Sequence, residues 1–263
     1  MSEKHFRFET GAVTHQGCVR DHNEDGFLVL PERGLWLVAD GMGGHYGGEF
    51  ASSAIVSHLE SIGRASSAPD LQARFVDRIS AANAAIQQHS RESHGVTIGA
   101  TVAALLAYEN HFACVWSGDS RIYLLRDGQL SQVSRDHTEV QDLLDSGAIT
   151  AEQAENWPRR NVITRAIGVR PEVQLDHIYG TLRDRDRFLL CSDGLTGHVE
   201  DAEIRDALSG RSPQAACEAL LGLTLERGAS DNVTVVVVRC AVKTLVTAMD
   251  GAAGGAATGW GHR

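Results

Sequence analysis

The chain has 263 residues, a formal net charge of −10 and no run of lysine or arginine. An acidic balance of this size argues against nucleic acid or an anionic membrane as the main partner, and it is compatible with a site built from carboxylates. The length suits one large domain with a substantial hydrophobic core.

The cysteines and the apolar runs indicate the cellular compartment of the protein. The five cysteines form no CxxC pair and are odd in number, which predicts buried, reduced thiols in a cytosolic protein. The N-terminal residues lack the apolar core of a signal peptide, and no apolar run reaches the roughly 18 residues of a membrane span. We therefore expect a cytoplasmic protein without a membrane segment.

The first half of the chain predicts short strands and two amphipathic helices. Strands are predicted at 10–15, 27–30 and 35–39, followed by helices at 48–62 and 71–89, each with one apolar face to bury. Four more strands are predicted at 99–107, 111–117, 121–126 and 129–133. The connections between these four have two or three residues, and connections this short predict antiparallel neighbours.

The second half begins with a polar segment, residues 134–186, which is only locally helical and predicts an excursion over the body of the domain. Further strands are predicted at 173–179, 188–191 and 232–240, and helices at 139–144, 151–155, 202–208 and 213–227. The last strand is β-branched almost throughout, as expected for a strand covered on both faces. Antiparallel strands with amphipathic helices predict an α+β domain over residues 1–242, with two packed sheets flanked by helices.

Residues 243–263 are rich in glycine and alanine, which predicts a disordered tail.

Four aspartates stand at the ends of predicted strands or at turns. They are Asp40 after LWLVA, Asp119 after FACVWSG, Asp193 after RFLLCS, and Asp231 just before the last strand. Any one of them alone is typical of a turn, because aspartate beside glycine or serine forms local hydrogen bonds. Gathered at one edge, the four would repel each other unless a cation were present. Oxygen ligands without cysteine or paired histidine favour Mg²⁺ or Mn²⁺ over Zn²⁺.

The segment RDHNEDG adds a cation and two carboxylates. Arg20 precedes Glu24 and Asp25 by four and five residues. A guanidinium beside a divalent-metal cluster suits a phosphate dianion, whereas the segment alone is also typical of a solvated polar loop. The glycines around Met42 match no nucleotide-binding loop, because no lysine follows them and Tyr46 stands where GxGxxG requires glycine.

Seven segments together resemble, in order and spacing, the motifs of the metal-dependent Ser/Thr protein phosphatases of type 2C (the PPM family). They are RDHNED, VADGMGGH, GATVAALL, WSGDSRIYLLRDG, VITRAIG, LLCSDGLTG and GASDNVTVVVV, within residues 8–240. The resemblance, to the compact prokaryotic form of the family, implies a four-layer αββα sandwich with two or three Mn²⁺ or Mg²⁺ ions at one end. It also implies hydrolysis of phosphoserine and phosphothreonine by a metal-activated water, without a phosphoenzyme intermediate.

The resemblance further implies roles for individual residues. Arg20 matches the arginine that binds phosphate. Asp40 matches the aspartate that bridges two ions, and the Gly41 carbonyl is a further ligand. Asp193 and Asp231 complete one metal site, Glu24, with Asp25 beside it, helps to form the second, and Asp119 with Asp193 forms a third, weaker site.

The general acid is less clearly implied. Eukaryotic members carry a histidine directly after the first Asp-Gly, where this chain has Met42. His45 is the next candidate to protonate the leaving group; the alternatives are that it is a supporting or surface residue and that a water on the metals is the acid.

Residues 134–186 fall where the family carries its variable flap. Arg159, Arg160 and Arg165 are candidate contacts for acidic phosphopeptides, with solvated surface charge as the alternative. We expect a monomer whose partners are phosphorylated proteins, the products of a Ser/Thr kinase. The other functions considered are a small-molecule phosphomonoesterase and an inactive phosphoprotein-binding module, and retention of the metal carboxylates argues against the inactive module.

Overall fold

The computed structural model describes residues 6–44, 47–159 and 161–242. Within these ranges there are eleven β-strands and seven α-helices. The strands are β1 (Phe6–His15), β2 (Asp25–Leu30), β3 (Leu35–Met42), β4 (Gly99–Ala100), β5 (Val102–Tyr108), β6 (His111–Ser117), β7 (Arg121–Arg126), β8 (Gln129–Gln132), β9 (Asp176–Thr181), β10 (Arg187–Cys191) and β11 (Val233–Val242). The helices are α1 (Gly47–Glu60), α2 (Ala68–Glu92), α3 (Glu139–Asp145), α4 (Ala151–Glu155), α5 (Asp193–Thr196), α6 (Asp201–Leu208) and α7 (Pro213–Glu226).

The strands form two antiparallel sheets. One sheet has the order β1-β11-β10-β7-β8, and the other has the order β2-β3-β5-β6-β9 with β4 beside β3. The β-branched strand β11 is central in the first sheet, between β1 and β10, and its first six residues are buried. The prediction of a last strand covered on both faces is therefore confirmed.

Three hydrophobic cores separate four layers. Along β3, Leu35 and Leu37 face α1 and α2, whereas Trp36 and Val38 face the other sheet, as the two-residue period of a strand requires. The core between the sheets also contains Phe188, and the third core lies between the five-stranded sheet and α5 to α7. The layer order is thus helix, sheet, sheet, helix, which confirms the αββα sandwich.

The connection between β6 and β7 departs from the sequence prediction. These strands were expected to be antiparallel neighbours, and this is wrong, because β6 pairs with β5 and β9 while β7 pairs with β10 and β8. Residues 118–120 cross from one sheet to the other. Three residues suffice, because packed sheets lie about 10 Å apart and each residue spans about 3.5 Å. Asp119 is therefore carried at a crossing between the sheets.

The polar segment folds in two parts. Its helices α3 and α4 are capped by the side chains of Thr138 and Thr150, and its C-terminal residues enter the six-stranded sheet as β9. The predicted tail, residues 243–263, lies outside the described residues.

The cysteines are all free thiols, and four of them are buried. Cys18 is exposed, so the expectation of burial is wrong for that residue: it lies in the turn that follows β1, away from the apolar strands. None of the described helices combines the length and the hydropathy needed to cross a membrane.

Candidate metal centre

The predicted carboxylates gather around one cavity of about 300 Å³. Its lining includes seven of the predicted site residues: Arg20, Glu24, Asp40, Gly41, Asp119, Asp193 and Asp231. Asp40 lies near the C-terminal end of β3, Asp193 follows β10 at the start of α5, and Asp231 precedes β11. The cavity therefore lies at one end of both sheets.

Asp40 is fixed by backbone hydrogen bonds on both sides. Its N–H donates to Thr101 Oγ1 at 3.0 Å, and its carbonyl accepts from the Thr101 N–H at 2.8 Å. The Thr101 hydroxyl is also 2.6 Å from the hydroxyl of Ser120, which follows Asp119. Two of the predicted ligands are thus positioned through a common threonine.

Gly41 brings the backbone close to the loop that carries Glu24. The Gly41 N–H donates to the Glu24 carbonyl at 3.1 Å. A Cβ at this position would lie 2.1 Å from the carbonyl oxygen of Gly48, so only glycine fits.

The carboxylates raise each other's pKa. Burial, followed by the charges of Asp25 and Asp193, holds the pKa of Asp40 well above its usual range. Burial raises the pKa of Asp25 and of Asp119 to about 7, and in both cases Asp193 contributes as a neighbouring charge. The pKa of Asp193 itself is raised by burial and by Asp231. Such a cluster is stabilised by any bound cation.

One buried oxygen in the cluster has no partner. Asp25 Oδ2 accepts a hydrogen bond from the Ser192 hydroxyl at 2.8 Å, and that hydroxyl accepts from the Thr234 N–H at 2.9 Å. Asp25 Oδ1 is buried without a hydrogen-bond partner. Buried acceptors are rarely left unpaired, so this oxygen and the charged cluster around it fit a divalent cation.

The carboxylates are not pre-assembled as a cage. In the described ranges, no group of three or more His, Cys, Asp or Glu side chains is already arranged to hold an ion. Two of the carboxylates are instead held by protein partners, Asp25 by Ser192 and Asp231 by Arg20. The remaining coordination would come from the Gly41 carbonyl and from water, which Mg²⁺ ordinarily retains.

Arg20, expected to bind phosphate, is paired with a predicted metal ligand. Its Nη2 donates to Asp231 Oδ2 at 2.8 Å, and about half of the arginine side chain is exposed. A cation at Asp231 would compete for that carboxylate and leave the guanidinium available at the cavity mouth.

Asn232 is a site residue that the sequence reasoning missed. Its Oδ1 accepts from the Glu24 N–H at 2.8 Å, and its Nδ2 donates to the carbonyls of Gln16 and His22 at 2.9 and 2.8 Å. This one amide fastens the loop that carries Arg20 and Glu24 to the start of β11. Its place directly after Asp231, ahead of a β-branched strand, was the only available signal.

The other candidates fall into two groups. His45 and Arg160 lie outside the described residues. In the flap, Arg159 pairs with Glu139 at 2.9 Å and Arg165 pairs with Asp176 at 2.8 Å.

A four-layer sandwich with a carboxylate cluster at the shared end of its sheets is the architecture implied for a type 2C phosphatase. The sequence profile of the family described as protein phosphatase 2C matches residues 18–221. The chain belongs to this family.

Relatives and solved structures agree with the match. The chain is 40% identical over 227 residues to the serine/threonine protein phosphatase PstP of Mycobacterium tuberculosis, covering 86% of this chain and 44% of PstP. It is 33% identical over 234 residues to the serine/threonine phosphatase stp of Listeria welshimeri, covering 86% of this chain and 93% of the relative. The chain thus spans less than half the length of PstP.

Two solved structures illustrate the likeness of fold. PppA, described as a key regulatory component of the T6SS in Pseudomonas aeruginosa, superposes with a TM-score of 0.82 at 42% identity, covering 89% of this chain and 98% of that one. The catalytic domain of PstP in complex with two manganese ions gives 0.81 at 37% identity, covering 90% and 99%.

Proposed function

We propose that the chain is a Mn²⁺- or Mg²⁺-dependent phosphatase that hydrolyses phosphoserine and phosphothreonine in proteins. The observation that carries the proposal is the buried carboxylate cluster with the unpartnered Asp25 Oδ1 and with Arg20 at its edge. Membership of the family, and the printed names of relatives at 40% and 33% identity, support the substrate class.

The carboxylates have the chemistry to hold two or three divalent ions. Asp40, Asp193 and Asp231 would hold one ion, Asp40 and Glu24 a second, and Asp119 with Asp193 a third. Ions bound there would supply a nucleophilic water at neutral pH and would offset charge on the phosphoryl oxygens.

The chain's own residues orient the substrate. Arg20, once free of Asp231, presents a planar pair of N–H donors that match two phosphoryl oxygens. Asn232 ties the loop that carries Arg20 and Glu24 to the start of β11 through three hydrogen bonds, so this loop is held beside the carboxylates.

Direct attack by water fits the cavity lining. In the described ranges, no serine, cysteine or histidine side chain lines this cavity; Ser230 and His198 line the cavity that adjoins it at Asp193 and Asp231. A phosphoenzyme on such a residue is therefore not part of the proposal. Met42 lines the cavity but cannot donate a proton, so His45 remains the candidate acid for the leaving alkoxide, with water as the alternative.

The proposal also covers the substrates, the oligomeric state and the cellular location. The chain would act as a monomer in the cytoplasm on proteins phosphorylated by a Ser/Thr kinase. The acidic net charge of −10 makes nucleic acid an unsuitable partner.

The test is hydrolysis of a phosphothreonine peptide with Mn²⁺ and with EDTA, in wild type, Asp193→Asn and the matched control Asp77→Asn. Asp77 lies on the exposed face of α2, away from the cavity. We expect activity only with Mn²⁺, at least a hundredfold loss in Asp193→Asn, and wild-type activity in the control. Turnover in EDTA or full activity of Asp193→Asn would contradict the mechanism, and a strong preference for sugar phosphates over the peptide would contradict the substrate class.

A further inference from the structure

His137 lies at the base of the flap and uses both of its ring nitrogens. Its side chain is almost fully buried, with 6% of the residue exposed. Nδ1 accepts a hydrogen bond from the Gly118 N–H at 3.1 Å, and Nε2 lies 3.2 Å from Asp176 Oδ2. A backbone N–H can only donate, so Nδ1 carries no proton and Nε2–H donates to the carboxylate.

The same histidine also holds Gly118 through the backbone. The His137 N–H donates to the Gly118 carbonyl at 3.0 Å. Both polar backbone groups of the residue before Asp119 are therefore satisfied by one residue of the flap. Gly118 has a φ of +108°, and a Cβ there would lie 2.6 Å from Thr101 Cγ2. The crossing between the sheets is thus crowded on one side and fixed by His137 on the other.

The far side of the ring is anchored in the flap and in β9. Asp176 Oδ1 accepts from Arg165 Nη1 at 2.8 Å, and Asp176 pairs in register with Trp116 of β6. The His137 carbonyl accepts from the Thr164 N–H at 2.8 Å. A continuous set of hydrogen bonds therefore runs from the flap through Asp176 and His137 to the turn that carries Asp119.

We propose that His137 is a positioning residue that sets the Asp119 carboxylate for its divalent-metal site. The inference rests on the proposed function, in which Asp119 is a metal ligand. Metal–oxygen distances tolerate shifts of only about 0.2 Å, and three residues that cross between sheets form no strand pairing of their own. Loss of the Nδ1 acceptor would leave the Gly118 N–H unpaired, so that residue 137 would hold the crossing only through the Gly118 carbonyl.

Two substitutions separate the two ends of the ring. In His137→Asn, the amide oxygen occupies the place of Nδ1 and can still accept from Gly118, but nothing reaches Asp176. In His137→Gln, the longer amide reaches the place of Nε2 and Asp176, but the Gly118 N–H loses its acceptor. Each variant is the control for the other, because both remove an imidazole from the same buried position.

Mn²⁺ binding is measured by calorimetry at pH 7.5, without substrate, in wild type, both His137 variants and Asp119→Asn. We expect His137→Asn to keep the weakest Mn²⁺ site within about threefold of wild-type affinity. His137→Gln is expected to weaken that site tenfold or more while leaving the tighter sites unchanged, the range typical of residues that orient metal ligands. Circular dichroism in EDTA verifies that each variant is folded. If His137→Asn is not folded, Asp176→Asn replaces it, because this variant also keeps the contact between His137 and Gly118.

The outcomes distinguish a failure of the positioning role from a failure of the proposed function on which it rests. Equal loss of the weakest site in both His137 variants, or no loss in either, overturns the positioning role. Retention of every Mn²⁺ site in Asp119→Asn overturns the ligand assignment and the inference with it. Loss in Asp119→Asn with retention in His137→Gln overturns the inference alone.

Discussion

Replacing Asp119 with asparagine should stabilise the metal-free protein at neutral pH. The carboxylate is 9% exposed, and burial together with the charge of Asp193 raises its pKa from 3.8 to about 7. The folded protein therefore binds a proton that the unfolded chain releases between about pH 4 and pH 7, so the free energy of unfolding falls as the pH rises through this range. A shift of about three units corresponds to about 4 kcal/mol at most, and part of it is shared with Asp193.

The assay is urea denaturation in EDTA at pH 8, 6 and 4.5. At pH 8, the free energy of unfolding of Asp119→Asn should be about 1 to 4 kcal/mol higher than that of wild type. At pH 4.5 the gain should shrink to about 1 kcal/mol, because the folded state is then protonated at this residue and the pH lies only slightly above the pKa of 3.8 in the unfolded chain. A variant less stable than wild type at pH 8, or a gain that does not change with pH, would refute the electrostatic account of the cluster.

A second carboxylate provides a control of opposite sign. Asp186 is 1% exposed but accepts hydrogen bonds from Arg126 at 2.8 and 2.6 Å and from the Arg183 N–H at 2.7 Å. Asp186→Asn removes the charge from a paired, buried carboxylate, and about 3 to 5 kcal/mol should be lost at pH 8. Burial alone therefore does not decide whether removal of a carboxylate charge raises or lowers the free energy of unfolding; the presence of a partner does.

Three further predictions concern the Asn232 anchor, Gly194 in α5 and the flap. Asn232→Ala should lower kcat by about 10- to 100-fold, since the Glu24 loop loses its anchor, whereas Asn156→Ala, just after α4, should leave the steady-state rate unchanged. Gly194→Ala should cost about 3 kcal/mol or more in thermal denaturation, because its Cβ would lie 1.9 Å from a backbone carbonyl, whereas Gly222→Ala, with no atom within 4 Å, should be neutral or stabilising. Arg159→Ala should alter the ranking of phosphopeptide substrates while leaving hydrolysis of a small aryl phosphate unaffected, and equal loss on both would contradict a role of the flap in selection.

The parts of the site that lie at strand ends could be predicted from sequence. An apolar run that stops at aspartate marks a point close to the end of a strand, and strands that end at one edge bring Asp40 and Asp193 to the same cavity. The two packed sheets flanked by helices were predicted from antiparallel strands combined with amphipathic helices, and along β3 the structure buries Leu35 and Leu37 on one face and Trp36 and Val38 on the other.

Contacts between distant segments could not be predicted in the same way. The crossing at Asp119 resembles a hairpin locally, and only the packing of one sheet on the other decides which sheet β7 joins. The roles of Asn232 and His137 depend on partners 208 and 19 residues away. The pairing of Arg20 with Asp231 spans 211 residues and depends on the unbalanced charge of the cluster, which no local pattern encodes.

The central place of β11 has a consequence for how the protein is made. This strand follows all the others described in chain order, yet it lies between β1 and β10. On the ribosome, the six-stranded sheet with α1 and α2 can assemble while β1 still lacks its partner more than 200 residues downstream. Until β11 emerges, β1 and β10 have unpaired edges that invite association with other chains. The nascent protein is therefore most exposed to misassembly before β11 has emerged, and the carboxylate cavity, which Asp231 lines just ahead of β11, is completed only when this strand pairs.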